Sequence, residues 1–527
     1  VGASWTVLRS IVMGARELLR GLAHNPALPS TLVDRLIAQA DDDLADELAQ
    51  RPDLDRDQIR ALVHRSESAL LGLAWAGRLD PADVDPVRWP EAALALLDQG
   101  RGRAEWAELL AGDPDPKQRE RLAACPGLPT AVSARLAEDP DPRVVAELAI
   151  FTADRHLLTR LAGHPHAEVR AGVAGNPAAP PEVLAGLVTV LAGLVGADRR
   201  GEDAPLPETC DVCVREPIPF VHDSGCPRRD CELPPGAARD GTHESVIHSL
   251  LARAVDNLAT PVVVAAELVG HASAYVRRPL AARPDLPVEA AVRLADDPNP
   301  GVRADLAENP AVPEDVLRRL AADENREVRR RVIRNPNVPL DLLTRTTGGD
   351  LLPRIAAATP DEIRQLAGSP DPQLRMPAAE RRDLPPEIRD RLAADQDAKV
   401  AKAVAPHPGI TEDLLRTMVS GHGVQVLARV AANPDASPAL LLDLARHVPP
   451  AQRVFREIVT RTDAPAGALE LCLTDGRARL IAAAHPSLPV NRIVALLGDA
   501  DGRVVTAAAT NPSLPLSEME WIIGPVP

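Results

Sequence analysis

Apolar residues recur along most of this chain at steps of three and four, in runs of about ten positions, and nearly every run is bounded by proline. In VPEDVLRRLAAD, residues 312 to 323, Val316, Leu317, Leu320 and Ala321 fall on one helical face. Pro313 stands at the first turn, where a missing N–H costs nothing, and Glu314 and Asp315 meet the positive end of the dipole. A polar turn, DENRE, leads into VRRRVIRN, in which Val328, Val332 and Ile333 make a second apolar face before Asn335-Pro336 stops it. The spacing therefore predicts a pair of short helices joined by proline-rich connectors. Sustained period-2 alternation is missing, so no sheet is expected.

The pair repeats. Pro261, Pro287, Pro313 and Pro339 are 26 residues apart, and Pro284, Pro310 and Pro336 run in step with them. Related units begin at HNPALPSTLVDRL (24 to 36), CPGLPTAVSARL (125 to 136), NPAAPPEVLAGL (176 to 187), NPDASPALLLDL (433 to 444) and NPSLPLSEMEWI (511 to 522). Residues 66 to 110, 346 to 366 and 446 to 476 keep the apolar period and lose the prolines. Two short helices cannot cover their own apolar faces, whereas stacked copies of the pair can. The expected fold is an all-α solenoid of helix-pair repeats.

These units, with a [NRH]-P-x-[LVA]-P start, an LxxLA helix and a D-P-x-x-x-V-R return, resemble the leucine-rich repeat variant (LRV) family over residues 18 to 190 and 246 to 524. The resemblance implies a right-handed superhelix in which α-helices alternate with helices that are often 3₁₀. HEAT-like solenoids are the close alternative, at longer periods.

The period breaks once. Between the polar linkers DRRGEDAPLPE (198 to 208) and ELPPGAARDGT (232 to 242) lies CDVCVREPIPFVHDSGCPRRDC, which holds four of the six cysteines. The expected organisation is a solenoid over 1–190, a linker and cysteine module over 191–245, and a second solenoid over 246–527. Cys210, Cys213, Cys226 and Cys231 follow the pattern C-x₂-C-x₁₂-C-x₄-C. A C-x₂-C step lets two thiolates reach one metal from a tight turn, and a second pair completes a tetrahedral set. Val212, Val214, Ile218, Phe220 and Val221 are too little apolar material to fold such a segment without a cross-link. Zinc and an iron–sulfur cluster both suit four thiolates. The LRV resemblance implies a [4Fe–4S] module, although in that family it precedes the repeats and here repeats lie on both sides. His222 and His243 could substitute as ligands but read as loop histidines. Cys125, in the place of Asn before a repeat proline, and Cys472, in the apolar run ALELCL, read as packing residues.

Composition narrows the function. The net charge of −16 argues against a general grip on nucleic acid or an anionic membrane. Repeated Arg277, Arg303 and Arg329, with Arg170 and Arg375, should stack into a stripe; residues 277 to 345 hold 13 Arg against 12 Asp and Glu, so pairing with acids is favoured over an anionic ligand. Asn25, Asn176, Asn309, Asn335, Asn433 and Asn511, each before proline, read as caps of backbone groups. The longest apolar stretch, residues 183 to 197, is 15 residues, short of the ~20 that span a bilayer. With no signal-peptide pattern near Ser4 to Gly14, a cytoplasmic protein is expected. No G-x-S-x-G, HExxH or phosphate-cradling loop occurs. The expectation is a non-enzymatic scaffold that binds protein partners, with a Cys₄ centre as a staple or redox-responsive element. The alternatives are a zinc-stapled scaffold and a HEAT-like solenoid acting on DNA bases, which would need a basic face with a Trp and Asp pair. Trp5, Trp75, Trp89, Trp106 and Trp521 are the available tryptophans.

Overall fold

A computed structural model describes residues 15–196, 246–343 and 352–524. Helices fill it, and no strand occurs among the described residues. The protein is an all-α repeat solenoid, as the apolar period predicts.

One unit illustrates the rest. Helix Glu314–Ala321 buries Val316, Leu317 and Leu320, and helix Arg326–Val332 buries Val328 and Val332. Ala321 and Ile333 sit at the margin and are half-buried. In the turn between the helices, Asp323 accepts from the backbone N–H of Asn325 at 2.7 Å, and Asn325 accepts from that of Glu327 at 2.8 Å, which caps the second helix. Both helices of this pair are α, where the family resemblance implies a partner that is often 3₁₀; among the described residues, 3₁₀ turns occur at Pro81–Asp83, Ala266–Gly270, Leu340–Leu343 and Gly423–Gln425.

The second proline of the repeat lies one position earlier than the first helical turn. Pro29, Pro287, Pro313 and Pro515 are N-cap residues with extended ψ, and their carbonyls receive the first helical hydrogen bonds, as from Leu317 N–H to Pro313 at 3.0 Å. In the other helix of the pair proline takes the first helical position, as in Pro142–Phe151, Pro300–Glu308 and Pro372–Ala379, and Pro386 and Pro438 take it in the first helix of theirs.

The described residues form two compact units that do not follow chain order. One holds residues 80–196, 246–343 and 352–354; the other holds 15–79 together with 355–524. Within the first unit, helix Ala167–Gly175 packs directly on Val246–Asp256, so repeats on the two sides of the period break are neighbours in the stack. Within the second unit, the first repeats pack on the last. Helix Ser30–Gln39 touches Leu516–Ile523, and Arg35 donates to the carbonyl of Gly524.

No helix of the described residues is long and apolar enough to cross a membrane.

Candidate functional site

Cys210, Cys213, Cys226 and Cys231, with His222 and His243, lie outside the described residues. The described residues do define what flanks them. Asn257, at the end of helix Val246–Asp256, donates from Nδ2 to the carbonyls of Ala174 at 3.0 Å and Asn176 at 2.8 Å. Residues 197–245 therefore connect two repeats that are already joined to each other. Among the described residues, no three His, Cys, Asp or Glu side chains gather as a metal-ligand set.

The two other cysteines are buried, and burial pushes both thiols up to about 12, helped by Asp98 at Cys125 and Asp475 at Cys472. A thiol held neutral at physiological pH is a poor nucleophile and a poor metal ligand, which fits their reading as packing residues.

The asparagine row is an inter-repeat staple. Asn335 is fully buried; its Nδ2 donates to Ala307 O at 2.9 Å and Asn309 O at 2.8 Å in the preceding repeat, while its Oδ1 accepts from the N–H of Asn337 at 2.8 Å. Asn309, Asn433 and Asn511 repeat the arrangement with carbonyls 28 and 26 residues back. These amides satisfy backbone groups, but those of the neighbouring repeat and not their own helix end. Asn257 belongs to the row, although it precedes Leu258, so the Asn-Pro signature missed it. Asn25 belongs too, and its acceptors are Ala509 O at 2.9 Å and Asn511 O at 2.8 Å.

Arginine fills the same place in other repeats. Arg283, 2% exposed, donates to Val255 O, Asn257 O and Thr260 O and is held bidentately by Asp285 at 2.8 Å. Arg51 with Asp53, Arg381 with Asp383 and Arg461 with Asp463 do likewise. The signal available in the sequence is R-x-D: the guanidinium crosses to the neighbouring repeat, and the carboxylate two residues on fixes its fork.

The predicted arginine stripe is a second, separate row. Arg277 pairs through Nε and Nη2 with Asp297, 20 residues on, at 2.6 and 2.8 Å, and reaches His271 O at 2.5 Å through Nη1. Arg303 then binds the carbonyl of the same Asp297 at 2.7 Å and the carboxylate of Asp323 at 2.7 and 3.0 Å; Arg329 takes the carbonyl of Asp323 at 2.5 Å. Each aspartate is thus a joint between consecutive repeats. Arg119 with Asp139, Arg375 with Asp395 and Arg479 with Asp499 keep the 20-residue offset. The Arg303 fork holds the Asp323 carboxyl below its ordinary range and is itself held more firmly protonated. Arg277 and Arg303 are 6% and 9% exposed, so they present no fork to a phosphate. The stripe is structural, as its charge balance with nearby acids suggests.

An open groove of about 780 Å³ lies beside helices Ser30–Gln39 and Arg56–Val63. Two of its three carboxylates are engaged in structure: Asp55 caps the second helix, and Asp34 accepts from Gln58 at 2.7 Å, while Asp57 is exposed beside Arg60. Of the tryptophans, Trp106 is buried, and Arg88 lies over the ring of Trp89 at 4.6 Å.

No family model and no curated protein matches the chain. Among solved structures, a leucine-rich repeat variant with a repetitive structural motif is 25% identical over 50% of this chain and 98% of its own, with a TM-score of 0.27. A Pds5–Scc1 complex is similar over 95% of this chain and 88% of its own, at 12% identity and a TM-score of 0.20. Importin beta covers 95% of this chain and 60% or less of its own at 13% identity, with TM-scores of 0.20 and 0.19 in two conditions.

Proposed function

We propose that this chain is a non-enzymatic scaffold: a solenoid whose surface binds protein partners, carrying between two stacked repeats a module in which Cys210, Cys213, Cys226 and Cys231 hold a metal centre. The supporting observation is that the recurrent polar side chains of the repeats, the Asn, R-x-D and Arg–Asp rows, are spent on joining one repeat to the next. The cysteine cluster is the concentrated chemistry that stacking does not use. Residues 197–245 leave and re-enter between repeats already joined by Asn257, so the stack does not need them as a bridge. They are an added module.

Four thiolates with a C-x₂-C step suit either a [4Fe–4S] cluster, the family-based reading, or zinc. A cluster would supply one-electron chemistry or oxidant sensitivity; zinc would supply a fold-stabilising cross-link.

Anaerobic purification followed by iron, zinc and acid-labile sulfide analysis tests the module, with a Cys210→Ser/Cys213→Ser variant alongside. Iron and sulfide in equal amounts, with visible absorption, support the cluster. Stoichiometric zinc without visible absorption gives the staple and removes the redox role. Undiminished metal in the double variant overturns the ligand set.

A further inference from the structure

The junction between the first and last repeats has the geometry of an ordinary repeat junction but lacks its covalent connection. Gly172 shows the ordinary form: a Cβ there would lie 2.7 Å from Ala146 O and 3.1 Å from the Cβ of Ala149, because two helices of successive repeats cross in near backbone contact. At Gly21 the same pair of positions is met, Thr506 O and the Cβ of Ala509. Thr506 and Thr510 add hydroxyl donations to the carbonyls of Glu17 and Gly21, at 3.3 and 3.2 Å. Asn25, fully buried, makes the staple to Ala509 and Asn511 that every other member of its row makes to the repeat before it. The residues joined here stand more than 480 positions apart in sequence, whereas the staples of Asn309, Asn335, Asn433 and Asn511 reach 26 to 28 positions back.

We infer that this junction is a latch: it opens without disrupting any repeat internally, and the same two faces can join a second copy of this chain. Opening exposes on one side Gly21, Asn25 and Arg35, and on the other Thr506, Ala509 and Asn511, which are complementary by the observed contacts. Pairing within one chain is favoured by its high effective concentration, and pairing between chains recovers the same contacts once protein concentration competes. The second copy is therefore the partner that this surface fits.

Complementing full-length variants test it. Gly21→Leu/Asn25→Ala spoils the first face and leaves the second intact; Thr506→Trp does the reverse. Each variant alone should remain helical, show a larger hydrodynamic radius than the wild type, and stay monomeric. Mixed at about 100 µM, they should give a 1:1 dimer by light scattering, since one intact face from each then meets. Wild-type radius in both variants, or expanded variants that never pair when mixed, overturns the latch. Should a variant lose its helical signal, the wild type suffices: refolded at rising concentration it should yield an increasing dimer fraction that dilution reverses slowly, and monomer alone at every concentration overturns the proposal.

Discussion

Asn257 Nδ2 lies 2.8 Å from the carbonyl of Asn176, a residue 81 positions earlier, whereas Asn335 makes the same bond to Asn309, 26 positions earlier. The extra length is the stretch that carries the cysteines. The repeats on either side are held to each other by this staple and by direct helix packing. Replacing residues 197–245 with a flexible linker of about ten residues should leave helical content and the thermal midpoint of the remaining chain within ~2 °C of the parent. Circular dichroism melts check this, and loss of cooperative unfolding would make the segment an integral part of the stack.

Asn335, fully buried, donates to two buried backbone carbonyls and accepts from the N–H of Asn337 at the surface. Asn335→Ala removes all three bonds and leaves the buried carbonyl of Ala307 without this donor, while that of Asn309 keeps the N–H of Val312; the loss should be about 1–3 kcal/mol. Asn335→Asp keeps the acceptor for Asn337 but turns a carboxylate toward two carbonyl oxygens, so it should destabilise further. The order wild type, Ala, Asp in denaturant midpoints is the expected outcome; an Ala midpoint equal to that of the wild type would show that the amide contributes nothing.

Arg303 and Asp323 form a nearly buried, bidentate pair. Arg303→Ala strands the carboxylate and should cost roughly 3–5 kcal/mol, while Arg303→Met/Asp323→Leu should recover part of the loss by removing the stranded charge. The pairing lowers the Asp323 pKa in the folded state, so its contribution is complete above the ordinary aspartate range and disappears as pH falls through the lowered value. In Arg303→Ala, that acid-range loss below about pH 4 should shrink, measured by urea unfolding between pH 2 and 6.

His407 stands where other repeats carry Asn or Arg, and it is 1% exposed. Its turn differs from theirs: the N–H of Gly409 is taken by Asp435 at 2.6 Å and not by the residue at 407. Burial, then the guanidinium of Arg382, with a smaller effect from Arg389, pushes its pKa down to about 4. The unfolded chain accepts that proton near pH 6.5 and the folded chain only near 4, so stability should fall as pH drops between those values and level off below them, by roughly 1–3 kcal/mol. His407→Asn should remove this dependence and raise the thermal midpoint at pH 5. A variant that retains the wild-type slope between pH 6.5 and 4 would assign it to another group.

Much of this was legible in residue order. The 26-residue spacing of Pro287, Pro313 and Pro339 marks the repeat, and Val316, Leu317, Leu320, Val328 and Val332 are buried as their spacing requires. The neutralised arginine stripe was legible as well, from the balance of 13 Arg against 12 Asp and Glu over residues 277 to 345, while the structure supplied Asp297 and Asp323 as the partners of Arg277 and Arg303. Asn257 was hidden because its role depends on where its amide points, and the proline that marks its counterparts is absent. The R-x-D pairs were hidden in another way: Arg283 and Asp285 look like surface charges in sequence, yet the arginine is buried because it serves three carbonyls of the preceding repeat.

The sequence by itself determined the helix pair and its period, since both depend on steps of three, four and 26 along the chain. Tertiary structure alone decided that Asn257 follows Asn176 in the row and that Asn25 follows Asn511. The reason is physical: the faces of a repeat are alike, so any exposed end can accept any repeat, and local pattern does not say which one.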